Sequence, residues 1–190
     1  MDPNVIYTPQ QAEEANRELE TLTKEPLRKF LAKEALSEQD KENLRKALPV
    51  LKKITAYDPI TINSYAMAGK IHLALDEPQQ AMDSYLDGIA KTKPNDTPIE
   101  RTIRSDLYVE MADLHLRNND SAAAERALRT AILIEDTSSQ AHVMLGRILQ
   151  SRGDAAGAKE EALKALLADA EYEPARTFYQ EVTGKKAASP

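Results

Sequence analysis

The stretch Ser139–Tyr172, SQAHVMLGRILQSRGDAAGAKEEALKALLADAEY, decides the fold. Val143, Leu145, Ile148 and Leu149 line one helical face, and Gly146 leaves a gap there through which another helix can approach closely. Arg152-Gly153-Asp154 breaks the pattern as a turn. The second half then places Ala158, Ala162, Leu163, Ala165 and Leu166 on a face of mostly small residues, suited to lying against the first half at short range. The spacing therefore predicts a helical hairpin with one side left unburied.

That open side needs a neighbour, and the sequence supplies one at a fixed offset. Gly146 and Ala158 recur 34 residues earlier as Ala112 and Ala124. They recur again as Gly69 and Ala81, a further 43 residues back, so about nine extra residues separate those two windows. Windows opening at Ile62, Ser105 and Ser139 align Tyr65, Tyr108 and His142, then Ala68, Met111 and Leu145, then Tyr85, Leu128 and Ala162. A fainter window from Arg28 keeps Leu31, Ala35, Ala47, Leu51 and Ile54 and ends on Asp58-Pro59. A 34-residue period with these columns resembles the tetratricopeptide repeat.

The resemblance covers about Arg28 to Tyr172. It implies an all-α chain, a right-handed superhelical solenoid of antiparallel helix pairs. The expected layout is an N-terminal tail and capping helix (1–27), a degenerate unit (28–61), a full unit (62–95), an insertion lengthening the next helix (96–104), two further units (105–138 and 139–172), a C-terminal capping helix (173–184) and a disordered tail (185–190).

Composition agrees with helices packed closely. The 190 residues are 42% hydrophobic but only 5% aromatic, so Ala, Leu, Ile and Met must build the core. No run of alternating β-branched residues reads as a strand. The formal charge of −6, from 25 basic and 31 acidic residues, includes no basic block to neutralise phosphates and so disfavours nucleic acid. The absence of Cys rules out a disulfide framework or thiolate site. No apolar run is long enough to span a membrane. The compartment expected is cytoplasmic, or periplasmic if a leader or anchor was removed, and a bacterial setting suits the layout.

Local signals place the remaining helices. Met1–Tyr7 reads as loose; Thr8-Pro9-Gln10-Gln11 is a cap, a first-turn proline and a glutamine three after the cap, opening a helix to about Thr23. Pro26 is expected to open a second helix to about Leu36, and Ser37-Glu38-Gln39-Asp40 a third to about Tyr57, kinked or delayed by Pro49. Thr97-Pro98-Ile99-Glu100 repeats the cap signature, so Pro98 to Arg117 is expected as one long helix after a loop at Lys91–Asp96. Glu173–Thr183, ending at Gly184, reads as a lid.

Catalytic chemistry finds no support. His72 and His115 share a column and His142 sits in another, so they read as packing residues rather than metal ligands, which must converge on one ion. Gly153-Asp154-Ala155-Ala156-Gly157 lacks the GK[ST] ending of a phosphate loop and reads as a turn. Glu160-Glu161 reads as a solvated face. No cofactor, metal or enzyme activity is expected.

Function is therefore expected on a surface. In the family this chain resembles, the first helix of each pair lines a concave wall that holds a peptide of a protein partner. The face opposite the packing columns assigns to that wall Asn63, Ala66, Met67, Lys70 and Leu73, then Asp106, Val109, Glu110, Asp113 and Arg117, then Gln140, Val143, Met144, Arg147 and Gln150. Met67, Val109, Val143 and Met144 are expected as an apolar floor outside the core, with Lys70, Asp113 and Arg147 selecting orientation. One groove type of the family clamps a C-terminal carboxylate with Lys, Asn and Arg. The matching places here hold Ala32, Leu36, Met67, Asp106 and Glu110, so that clamp is absent. The leading expectation is a protein-binding scaffold or adaptor. Two alternatives are a self-associating scaffold, dimeric through the Pro98 helix or the N-terminal helices, and a chaperone resembling those of type III secretion translocators.

Overall fold

A computed structural model describes residues 8–57, 62–91 and 97–185. Among these residues lie nine α-helices and no strand: α1 (Pro9–Leu31), α2 (Glu38–Tyr57), α3 (Ile62–Ala74), α4 (Pro78–Lys91), α5 (Pro98–Arg117), α6 (Ser121–Ile134), α7 (Ser139–Ser151), α8 (Ala155–Ala168) and α9 (Glu173–Thr183). The expectations for Met1–Tyr7, Asp58-Pro59, residues 92–96 and residues 186–190 lie outside the described residues.

The chain divides into two compact units, Met1–Pro94 and Asn95–Pro190. In the first, α1 pairs with α2 and α3 with α4, and α2 packs on α3. Its core gathers Ala15, Leu19, Leu44, Ala47, Val50, Leu51 and Ile71. In the second, α5 pairs with α6 and α7 with α8, while α9 lies on α8 and α7. Alanines at 124, 127, 131, 141, 158, 162, 165 and 175 are buried there, so the helices meet over small side chains. Two serines fasten the pairs at the period of the sequence: Ser105 Oγ donates to the Ala131 carbonyl (3.1 Å) and Ser139 Oγ to the Ala165 carbonyl (2.7 Å).

The helix starts follow their caps. Thr8 Oγ1 accepts from Gln11 N, and Gln11 Oε1 accepts from Thr8 N. Thr97 Oγ1 accepts from Glu100 N at 3.3 Å, and α5 runs unbroken to Arg117. Asp120 and Asp154, in one repeat column, cap α6 and α8 by accepting from Ala123 N and Gly157 N. The turns between paired helices share a left-handed middle residue: Asp76 (φ 61°), Asn119 (φ 59°) and Gly153 (φ 82°). Lys33, just past α1, has φ 58° with no such aptitude. Lys33→Gly should raise stability by about 0.5–1 kcal/mol, read as a higher urea midpoint at unchanged slope. An unchanged or lower midpoint would show that the lysine carries no strain.

The N-terminal region departs from expectation. α1 continues through Pro26 to Leu31 instead of breaking after Thr23. Pro26 is fully buried, on the stripe of Ala15, Leu19 and Thr23 that faces α2, so packing holds the helix across the lost amide donor. Arg28, where the fainter window opens, thus lies inside α1. The helix α2 likewise runs through Pro49, whose ring faces outward. Ser37 and Lys29 both donate to Asp40 Oδ2 (2.6 Å from Ser37 Oγ, 2.9 Å from Lys29 Nζ), tying the end of α1 to the start of α2.

Candidate partner-binding surface

In the first unit, one flank of α1 stays open where it passes α3. A cleft of about 400 Å³ lies there, walled by Ala12, Asn16, Leu19, Glu20 and Thr23 of α1 and by Asn63, Ser64 and Met67 of α3, with Leu51 and Ile54 of α2 as its apolar floor. Asn16 and Asn63 are exposed and Ser64 is buried, and none of the three side chains makes a hydrogen bond among the described residues. An apolar hollow with a few convergent polar groups is the usual form of a binding cleft. Of the residues assigned to the inner wall, Asn63 and Met67 line it. Ala66 is buried, and Lys70 and Leu73 are half-buried on α3 outside the cleft.

In the second unit the assigned residues separate. Asp106 and Gln140 meet in a polar hollow of about 270 Å³ with Ser105, Ser139, Glu135, Asp169 and Tyr172. Burial, then the Asp169 charge, pushes the Tyr172 phenol up. Asp113 and Arg117 pair with each other at 2.7 Å. Arg147 turns to α9, its guanidinium over the Phe178 ring (5.1 Å) and 3.3 Å from Glu181. Glu110 and Met144 are half-buried and Gln150 is exposed.

Val109 and Val143 correct the expectation of an exposed apolar floor. They are 3% and 5% exposed, Val109 packed with Ala112, Ala127 and Leu145, and Val143 with Ala158, Ala162 and Phe178. A first helix in a stack is flanked by its own partner and by the next pair, so two of its faces need apolar side chains. Glu161 is a second correction. Rather than joining Glu160 on a solvated face it is 8% exposed, with Oε2 at 2.6 Å from His142 Nδ1. His142 is 3% exposed and its Nε2 lies 2.9 Å from the Asp136 carbonyl. His72 is held by Glu77 at 2.7 Å in the first unit.

From the sequence, Leu51 and Ile54 count only as packing columns of the fainter window, and the helix of Asn16 and Glu20 reads as a cap, which hides both residues. Their signal was present in Ala12, Asn16 and Leu19, which share one flank of a helix.

The family model for the tetratricopeptide repeat matches residues 109–174, from the middle of α5 to the start of α9. Residues 109–174 are tetratricopeptide repeat sequence. No curated protein matches the chain. Solved structures share its fold at low identity. MamA is 19% identical over 79% of this chain and 85% of its own, with a TM-score of 0.58. PilF of Pseudomonas aeruginosa is 15% identical over 89% and 69%, with a TM-score of 0.62. YrrB, described as a TPR protein with an unusual peptide-binding site, is 15% identical over 92% and 81%, with a TM-score of 0.57. At these identities the likeness carries the all-α repeat fold and nothing finer. Among the described residues, no helix is long and apolar enough to cross a membrane.

Proposed function

We propose that this protein is an interaction module that seats an extended, uncharged segment of a protein partner in the cleft between α1 and α3. The observation that carries the reading is the pairing of an apolar floor with two exposed amides, Asn16 and Asn63, whose side chains make no hydrogen bond among the described residues. Side-chain amides match the free N–H and C=O groups of an extended backbone. A helical ligand satisfies its own backbone and would leave them unused. Among the described lining residues there is no Lys or Arg, and Glu20 is the one charged residue, so an acidic segment is disfavoured. A branched or thioether side chain of the partner would rest on Leu51, Ile54 and Met67. The peptide site described for YrrB is consistent with this role. Lys70, Leu73, Asp106, Glu110, Asp113, Arg117, Gln140, Met144, Arg147 and Gln150 are further candidate contacts on the first helices of their pairs.

Selection from a phage library of random ten-residue peptides tests the reading. Recovered peptides should carry an apolar anchor within an uncharged stretch, and Asn16→Ala with Asn63→Ala should weaken them about tenfold or more at unchanged helicity. Peptides that bind this double variant as well as the parent would overturn the assignment.

A further inference from the structure

The outer sides of α6 and α8 carry side chains that a solvated surface does not explain. Residues 126, 129 and 133 of α6 and 160, 163 and 167 of α8 fall at spacings of three and four and form one exposed stripe on each helix. Leu133 is 87% exposed, Leu167 77% and Leu163 45%. Ile132 of α6 and Leu167 of α8 line a single hollow of about 430 Å³, so the two helices border one surface. Leucine on the outermost stripe of two successive second helices marks a surface that is covered in use.

We propose that this surface pairs with the same surface of a second copy of the chain. The repeat register favours self-pairing. Because α6 and α8 are copies 34 residues apart, a two-fold axis running between and parallel to them sets α6 of one copy on α8 of the other at equal height. Leu133 then meets Leu167, the stem of Arg129 lies on Leu163, and Arg126 meets Glu160, each contact occurring twice. Apolar faces apolar and positive faces negative, with no like charges opposed along the stripes. Arg126 makes no ion pair among the described residues, so its charge is available. Glu160 bonds Lys164 at 2.7 Å, but Lys164 also holds Glu161 at 3.1 Å and keeps that partner when Glu160 turns away.

Sedimentation of the full chain from about 5 to 300 µM tests this, since a contact of this kind is expected in the micromolar range. The parent should approach twice the chain mass, and Leu167→Asp should stay single. Arg126→Glu should weaken association about tenfold, and adding Glu160→Arg to it should restore association. The charge swap guards against a misfolded variant, since a folding defect would not be repaired by a second surface change. A parent that stays single throughout, an association untouched by Leu167→Asp, or a charge swap that fails to restore it would each overturn the proposal. So would capture of a different protein on this surface by a chain that never self-associates.

Discussion

Glu161→Leu should destabilise the second unit by about 3 kcal/mol, because it strips a buried charged histidine of its carboxylate. The geometry requires that charge. His142 Nδ1 faces Glu161 and Nε2 faces the Asp136 carbonyl, both acceptors, and a neutral imidazole has only one N–H to give them. Burial opposes the pair, pushing the imidazole down and the carboxyl up. The mutual hydrogen bond outweighs it, helped by the Asp136 carbonyl at His142 and by Lys164 at Glu161, although the Lys164 charge works against the imidazolium. The imidazole thus ends above its ordinary value and the carboxyl below its own.

A raised histidine contributes stability that is complete below its unfolded value, about 6.5, and is lost as pH rises through the higher folded value. A depressed carboxyl contributes above its unfolded value, about 4.3, and is lost as pH falls through the lower folded one. The pair is therefore strongest between these two unfolded values, and melting temperature should fall as pH climbs past neutrality. His142→Gln should flatten that alkaline decline; a decline equally steep in the variant would mean that another group causes it.

Gly146→Leu should cost about 1–3 kcal/mol by overpacking, with its damage concentrated on α9. A Cβ at 146 would run into the Phe178 ring and stand 3.2 Å from Glu161 Cβ. Phe178 is fully buried and shares its cluster with Ala158, Ala162 and Ala175, so the ring has little room to retreat. Hydrogen exchange should show α9 losing protection before α7 and α8 do. A denaturation midpoint equal to the parent's would mean that the notch is not closed as described.

Much of this was legible in the chain. The glycine and alanine columns located the helix pairs, and Thr8, Thr97 and Gly184 located their ends. The sequence also pointed to a close approach at Gly146. What fills it, Phe178, lies outside the window and in another helix, so no local period points to it. Pro26 failed for a different reason. Proline suits both a first turn and a buried interior position with other support, and only the packing of α1 on α2 tells them apart. Val109 and Val143 were read as surplus because one apolar face suffices for a lone hairpin, whereas a stacked first helix has two to cover. Glu161 could not be separated from Glu160 by composition, since one step along a helix turns the side chain about 100° and exchanges water for His142.

The glycine notches also imply unequal autonomy for the two helix pairs that contain them. At Gly69 the space is closed by Tyr85, a residue of the adjoining α4, so that notch is filled from within its own pair. At Gly146 the matching residue of α8 is Ala162, too small to close the gap, and the ring is borrowed from α9. A chain cut before Glu173 would lose a plug as well as a lid, leaving a ring-sized void open to water. At its notch α3–α4 is thus self-sufficient, though Ile71 still needs α1 and α2 to cover it, while α7–α8 is a dependent pair whose usable boundary lies at the end of α9.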